Sequence, residues 1–198
     1  METKRLSSSS TSLPSVFLQP NPDGPLNVEV PAGESRFLIR QLDDDARSQE
    51  YIFHLRHADS QVQVLGLVKA AGESAPFLRT SVIHHNPATR AETIIRTLAL
   101  GNAQPRYEGV IHIEKNAQNS ESFLNHHSLL LGEAAKSWTL PSLEIEADQV
   151  RCSHAATLRT ITDADLFYLR SRGLEKDAAK DLLVEAFLAD VAEIATLA

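Results

Sequence analysis

The chain has 198 residues, of which 42% are hydrophobic and 23% charged, and it carries a formal net charge of −7 at neutral pH. This size and composition suffice for one globular domain with a core of its own, whereas the acidic balance excludes a duplex nucleic-acid binder, which needs a basic surface to displace phosphate counterions. The only cysteine, Cys152, cannot form an internal disulfide, and no apolar run in the sequence is long enough to predict a membrane span.

Residues 1–26 are rich in serine and proline and show neither helical nor strand periodicity. Such a segment cannot bury enough apolar surface to offset the entropy lost on ordering. We therefore predict a disordered tail over 1–26. Its start, with Lys4 and Arg5, has the composition of an organelle transit peptide but is short and not amphipathic. The single cysteine and the lack of an apolar run that could serve as a secretory signal core indicate a reducing compartment. The predicted location is therefore the cytoplasm, with an organelle stroma as the alternative.

Short extended segments separated by turn residues follow the tail as far as about residue 160. Many of them alternate apolar and polar residues or carry β-branched ones, as half-buried strands do. Their close spacing without intervening helices predicts a mainly β body, either a sandwich or a parallel β-helix, and periodicity alone does not choose between the two. The candidate strands are 27–30, 36–40, 51–56, 62–68, 93–100, 109–113, 128–131, 143–147 and 150–154.

The hydrophobic period changes to a helical one over residues 161–198. Thr162 or Asp163 can cap a helix that ends at Gly173. A second helix then places one apolar stripe at a spacing of four residues. We expect the stripe to pack on the chain's own β body, with a partner surface as the alternative. The stripe consists of Leu183, Phe187, Val191 and Ala195, joined by Ala179, Ala186 and Ile194.

The common local signatures of enzymes are absent from the sequence. The segment "GEAAKS" at 132–137 has a Lys-Ser pair but lacks the glycine that a phosphate-binding loop needs before it. There is no His-Glu-x-x-His, Cys-x-x-Cys or Gly-x-Ser-x-Gly motif. A triad assembled only by folding leaves no such trace, so a β-helical enzyme of unknown substrate stays an alternative.

Cys152 and His154 are the residues with the clearest chemical potential. Positions i and i+2 of a strand project on one face, and thiolate and imidazole are suitable ligands for iron or zinc. Two ligands do not make a metal site, and such a pair is more typical of a buried thiol beside a satisfied histidine. The doublets His84-His85 and His126-His127 are weaker candidates, because adjacent strand residues point to opposite faces.

The segment "PSLEIEADQVRCSHAATLRTITDADLFYLRSRGLEKDAAKDLLVEAF" at 141–187 resembles the C-terminal signature of the SufB/SufD family. These proteins are the scaffold subunits of the SUF machinery for iron–sulfur cluster assembly. Upstream, "GVIHIEKNAQ" and "SLLL" resemble core elements of the same family. The resemblance is dense over 79–198 and faint before it.

The resemblance is closer to SufD than to SufB. SufB-like chains carry a cysteine where this chain has Ala135, whereas SufD-like chains carry the motif Cys-Ser-His, here Cys152, Ser153 and His154. It implies a right-handed parallel β-helix over 27–160 with a C-terminal α-helical segment over 161–198. It also implies that His154, with Cys152, helps to build a transient cluster at the interface with a SufB-type subunit. Because the chain has no further thiolates, we expect no cluster held stably by the isolated chain.

The resemblance further implies that the C-terminal segment docks a SufC-type ATPase. Phe167 and Tyr168 offer contact area, and Arg170 and Arg172 offer planar donors for carboxylates. Adjacent helix residues diverge by about 100°. We therefore expect one of the two aromatic side chains to anchor the helix to its own domain and the other to reach the partner.

The predicted function is a SufD-like scaffold or adaptor without turnover of its own, acting with SufC and with a SufB-type subunit or a second copy. The alternative within the family is a truncated, self-pairing paralogue that binds SufC and builds no cluster. Two features depart from the family pattern. SufD chains are about twice as long, and Ala155 and Arg159 stand where the family has glycines.

Overall fold

The computed structural model describes residues 15–21, 23–42 and 48–192. They contain eleven strands and two α-helices, followed by a short 3-10 helix at Ala189–Val191. The elements are β1 (Ser15–Phe17), β2 (Leu26–Glu29), β3 (Glu34–Gln41), β4 (Gln49–Leu55), β5 (Gln61–Ala70), β6 (Phe77–His84), β7 (Arg90–Leu100), β8 (Arg106–Ile113), β9 (Ser120–Leu131), β10 (Trp138–Ile145), β11 (Val150–Thr160), α1 (Asp163–Ser171) and α2 (Lys176–Leu188).

The strands alternate between two parallel sheets as the chain winds. Sheet A has the order β1-β3-β5-β7-β9-β11 and sheet B the order β10-β8-β6-β4-β2. Each strand lies beside the strand one coil further along, so that Gln61 pairs with Arg90 and Arg90 with Glu121. The predicted parallel β-helix with a C-terminal helical segment is confirmed, and the sandwich alternative is wrong.

The core lies between the two sheets, because alternate residues of every strand project inward. Its largest fully buried side chains are aromatic and aliphatic, among them Tyr51, Phe53 and Tyr107. In β5 five consecutive residues, 64–68, are buried. This continuous burial arises because the outer face of sheet A is covered as well, by the end of the C-terminal helical segment, where Val191 packs with Leu65 and Leu67.

Strand β6 is the one long strand that sequence periodicity did not predict, and the reason is that some of its core-facing residues are polar. Its inward positions include Thr80 and His84, both buried. The Thr80 hydroxyl lies 2.7 Å from the Tyr107 hydroxyl and His84 Nδ1 lies 2.7 Å from Thr89 Oγ1, whereas the buried His84 Nε2 has no hydrogen-bond partner among the described residues. Two polar residues on the core face hide the alternation on which strand recognition depends.

The predicted disordered tail contains structure that the sequence did not indicate. Residues 15–17 form β1, which pairs with β3, and the Leu18 amide donates to the Leu38 carbonyl at 2.9 Å. Leu18 and Leu26 also pack against the core. The sheet edge and the core surface supply the hydrogen bonds and apolar contacts that the segment lacks by itself. Residues 1–14 of the predicted tail lie outside the described residues.

Helix α1 begins and ends where the sequence signals place it, whereas α2 ends at Leu188 and continues as the 3-10 helix Ala189–Val191, although the predicted apolar stripe runs to Ala195. Thr162 caps α1 in a capping box with Asp165, and Gly173 follows the helix end at φ +95°. Among the residues that the structure describes, neither helix is long and apolar enough to cross a membrane.

Candidate functional site

The last coil, formed by β10 and β11, leaves one end of the β-helix uncovered, and we call this surface the open end. β11 is the edge strand of sheet A and β10 the edge strand of sheet B. Their inward positions carry apolar side chains that no further coil covers: Leu143 is 37% exposed, Ile145 42% and Leu158 53%. The open end therefore combines unpaired strand edges with exposed apolar surface, the two features that favour association with another chain.

Cys152 and His154 lie at this open end, on the same side of β11. They pair in register with Ser122 and Leu124 of β9, both of which are buried on the core side. The two side chains therefore project toward the core side of the terminal coil, as the spacing predicted. Cys152 is half-buried against the core, and burial raises the pKa of its thiol, whereas His154 is exposed. At neutral pH Cys152 is a thiol, and the accessible imidazole is the more available ligand.

The pair has no companions that would complete a metal site. Across residues 15–21, 23–42 and 48–192, no three His, Cys, Asp or Glu side chains are grouped so that they could hold a metal ion. Ala135, at the position where SufB-like chains carry cysteine, is buried in the turn before β10.

Ala155 and Arg159, which replace family glycines, continue β11 as regular strand residues. Among the described residues, the non-glycine positions with positive φ are Asp59, Ala88 and Asn119. No left-handed conformation is required at 155 or 159, so the side chains cause no backbone strain there. Arg159 reaches toward Asp165 of α1, at 3.7 Å between guanidinium nitrogen and carboxylate oxygen.

Helix α1 presents its aromatic and basic residues to solvent. Phe167 is 75% exposed and Tyr168 60%, and the guanidinium carbon of Arg172 lies 5.6 Å from the centre of the Tyr168 ring. Arg170 is also exposed. Hydrogen bonds from the Thr162 backbone and side chain lower the pKa of the Asp165 carboxyl, so this capping residue is charged over the neutral range.

The prediction that one of the two aromatics anchors α1 is wrong. Neither is buried, and Leu166 and Leu169 are the half-buried residues of the helix. An i, i+3 pair of leucines supplies the packing side, which leaves both aromatics free. Phe167 and Arg170 line an open groove of about 700 Å³ beside the turn to α2.

The apolar stripe of α2 packs inward, as expected. Ala179 and Val191 are fully buried, and Leu183 and Phe187 are half-buried. The arrangement is reinforced by Arg96 of β7, which pairs with Asp190 and lies 5.8 Å from the Phe187 ring centre. Of the predicted stripe, Ala186 is exposed, and Ile194 and Ala195 lie outside the described residues.

Sequence reasoning missed a second exposed patch on the outer side of sheet B. Trp138 and Leu140 are each 58% exposed, and Trp138 lies in register with Arg106, whose guanidinium covers the Phe77 ring at 5.7 Å. The signal was present, because the only tryptophan stands at the start of a strand. Its outward direction follows only from the register with β8.

Comparison with known proteins gives a consistent picture. A family model described as "SUF system FeS cluster assembly, SufBD core domain" matches residues 36–187. The iron-sulfur cluster assembly protein SufD of Escherichia coli is 33% identical over 139 residues, which are 70% of this chain and 33% of that protein. A SufBD family protein of Synechocystis is 29% identical over 167 residues, which are 83% of this chain and 37% of that protein.

A SufBD family protein of Mycobacterium tuberculosis is 29% identical over 131 residues, which are 66% of this chain and 16% of that protein. This chain therefore spans little more than a third of the length of these relatives, or less. The matched region begins within β3 and ends one residue before the end of α2, so it includes the open end and α1.

Proposed function

The chain belongs to the SufBD family of the SUF iron–sulfur cluster assembly system, and from this premise we propose that it is a SufD-like scaffold or adaptor without turnover of its own. It pairs through its open end with a SufB-type subunit or a second copy, and it docks a SufC-type ATPase through α1. The predicted cytoplasmic location is kept as part of the proposal.

The position of His154 is the observation that carries this proposal. It is exposed on β11, an edge strand, on the same side as Cys152 and next to uncovered apolar residues. A second chain that covers those apolar residues would bring its own ligands to the imidazole. Iron–sulfur clusters are usually held by four thiolates, so a chain with a single cysteine must share the cluster, which is cargo here.

The first test is anaerobic reconstitution with iron and sulfide of the complex with a SufB-type subunit, followed by visible absorption. We expect His154→Ala to lower cluster absorption at least about tenfold, because loss of even an outer-shell partner of a metal ligand typically costs about 10–100-fold. The far-ultraviolet circular dichroism should be unchanged. His112→Ala, a histidine of sheet B outside the open end, is the matched control. Full cluster assembly by His154→Ala would contradict the proposal, whereas loss of folding would mean that His154 is a structural residue.

The second test concerns the SufC-type ATPase. Aromatic and arginine side chains commonly dominate binding energy at protein interfaces. We expect Phe167→Ala and Arg170→Ala each to weaken SufC binding by about tenfold or more, because truncated hot-spot residues typically cost more than 1 kcal/mol.

The stability of the isolated chain serves as the control for these variants. Both side chains are exposed. The free energy of unfolding of each variant should therefore differ from that of the wild-type chain by no more than about 0.5 kcal/mol. SufC binding with native affinity by both variants, measured by titration calorimetry, would place the docking surface elsewhere. Binding of SufC together with failure of cluster assembly in the wild-type chain would favour the truncated, self-pairing paralogue.

A further inference from the structure

Four side chains from successive coils form one hydrogen-bonded chain along the carboxyl ends of the sheet B strands. Asn27 lies in β2 and His54 in β4, whereas His85 and Glu114 directly follow β6 and β8. His54 Nε2 lies 3.0 Å from the Asn27 side-chain oxygen. His85 Nδ1 lies 2.7 Å from a Glu114 carboxylate oxygen. None of these residues belongs to the open end or to α1, so the proposed function does not use them.

The two imidazole rings meet edge to edge and hydrogen-bond to each other. His54 Nδ1 and His85 Nε2 are 3.0 Å apart, which is an ordinary hydrogen-bond distance. The ring planes differ by 18°, and the ring centres are 5.3 Å apart. Both nitrogens therefore lie on the line between the ring centres, with one proton between them. Which ring supplies that proton follows from the partners at the two ends of the chain.

The two end partners show that the pair of rings carries one additional proton. A carboxylate and an amide oxygen only accept hydrogen bonds, so His85 Nδ1 donates to Glu114 and His54 Nε2 donates to Asn27. A neutral imidazole has one N–H, so the proton between the rings makes one of them an imidazolium. That ring is His85, because the Glu114 carboxylate stabilises its charge. The neighbouring His84 does not compete for the proton, since burial lowers its pKa to about 4.

Loss of the additional proton has a defined structural consequence. His85 Nε2 then becomes an acceptor, so His54 must donate to it from Nδ1, and His54 Nε2 becomes an acceptor as well. The Asn27 amide must therefore rotate by half a turn and present its NH2 group to His54. We propose that His54 and His85 share one titrating proton and form a pH-sensitive switch, which changes the tautomer of His54 and turns the Asn27 amide over.

The charges around the two rings favour one added proton and oppose a second. The carboxylates of Glu29 and Glu114 and the guanidinium of Arg56 face the pair, so a single imidazolium makes this cluster neutral. Burial is the main cause that lowers the pKa of His54, and the neighbouring positive groups, Arg56 and His85, add to it. The two carboxylates act in the opposite direction without reversing the shift. His54 therefore stays the neutral member of the pair.

The switch sets how firmly the first coils are held together. Strand β2 pairs with β4 over only four residues, Leu26–Glu29, so the side-chain contact between Asn27 and His54 is a substantial part of its attachment. Hydrogen bonds with a charged partner are about twice as strong as neutral ones, so the protonated chain binds β2 more tightly. The Val30 amide, which donates to the His54 carbonyl at 3.0 Å, reports on this attachment.

The test is NMR spectroscopy of the intact chain labelled with 15N-histidine, in which two-bond couplings identify the protonated ring nitrogens. At pH 6 we expect N–H groups at both nitrogens of His85 and at Nε2 of His54. At pH 9 we expect them only at Nδ1 of both rings. Protection of the Val30 amide against hydrogen exchange should be about threefold to tenfold higher at pH 6 than at pH 8. The same His54 tautomer at both pH values would overturn the proposal.

Asn27→Asp is the decisive variant, because a carboxylate cannot donate to His54 in either orientation. Asn27 is exposed, so the fold should tolerate the change. The variant should keep His54 protonated at Nε2 at both pH values and abolish the change in Val30 protection. The matched control is Glu146→Gln, which removes the carboxylate 3.1 Å from His112 on the same sheet and should leave the switch intact. A tautomer change that persists in Asn27→Asp would contradict the proposed switch.

Discussion

At the scale of single residues, the interior of the β-helix holds two histidines that stay neutral. His126 contacts Thr97 and Thr139 through its two ring nitrogens, at 2.9 and 2.8 Å, and His84 contacts Thr89. Burial, with smaller contributions from neighbouring positive groups, lowers the pKa of His126 to about 3 and that of His84 to about 4. Hydroxyl groups contact both ring nitrogens of His126 and Nδ1 of His84, whereas His84 Nε2 has no partner among the described residues. No carboxylate contributes to either pKa shift to favour the protonated ring.

These shifts predict that the fold loses stability in mild acid. The folded pKa values lie below the unfolded value of 6.5, so the unfolded chain binds more protons below that pH. The stabilisation is complete above pH 6.5 and is lost as the pH falls toward 4. At pH 5 the free energy of unfolding is lower than at pH 7 by about 2 kcal/mol for each of the two histidines. Urea denaturation at pH 7, 6 and 5 measures this slope.

Substitutions at one buried and one exposed histidine test whether the buried histidines cause the loss of stability in acid. His126→Gln should reduce the pH slope by about one proton, whereas His57→Gln, at an exposed position in the turn after β4, should leave it unchanged. An unchanged slope in His126→Gln would mean that other groups cause the acid sensitivity.

At the scale of secondary-structure elements, the C-terminal helical segment is held to sheet A by few contacts. Val191 packs in a cluster with Leu38, Leu65 and Leu67, and Asp190 pairs with Arg96, which is only 9% exposed. Helix α1 has no buried residue. The segment is therefore fixed at its α2 end, while α1 presents its surface outward.

Docking of this segment should depend on Val191. Val191→Ala removes two buried methyl groups and their packing contacts, and it should destabilise the docked segment by about 1–2 kcal/mol. We expect faster hydrogen exchange in α2, with little change in the β5 core. The control is Leu182→Ala, at a position 42% exposed, which should leave exchange unchanged. Global destabilisation of the β-helix by Val191→Ala would show that helix and sheet unfold as one unit.

At the scale of the whole molecule, the described edge strands differ in length between the two ends. β1 and β2 have 3 and 4 residues, and Pro25 and Pro31 flank β2. β10 and β11 have 8 and 11 residues and carry the exposed apolar side chains of the open end. Short edges with nearby prolines resist strand addition, whereas long apolar edges invite it.

A charge at the open end should therefore block association. Leu158→Lys should weaken pairing with a SufB-type subunit, or with a second copy, by at least about tenfold, because a lysine on an edge strand opposes pairing. Its free energy of unfolding should change by no more than about 0.5 kcal/mol, since Leu158 is 53% exposed. Analytical ultracentrifugation with Leu182→Lys as control measures the effect. Unchanged association would direct attention to Trp138 and Leu140.

The local sequence determined those elements whose hydrophobic period and terminal capping residues can be recognised without reference to the rest of the chain. Alternation located nine strands, the Thr162 cap and Gly173 bounded α1, and the i, i+2 spacing put Cys152 and His154 on one side of β11. Strand β6 was not predicted because two of its core positions, Thr80 and His84, are polar. Which aromatic side chains of α1 are exposed depended on where α2 lies.

The tertiary structure alone decided the contacts between coils. His54 meets His85 across 31 positions, and Arg96 meets Asp190 across 94. These pairings depend on strand register, which turn geometry and coil length set, and a shift of one residue would move every side chain to the opposite face. Periodicity gives the face of a residue within its own strand, whereas its neighbour in the next coil follows only from how the whole chain winds.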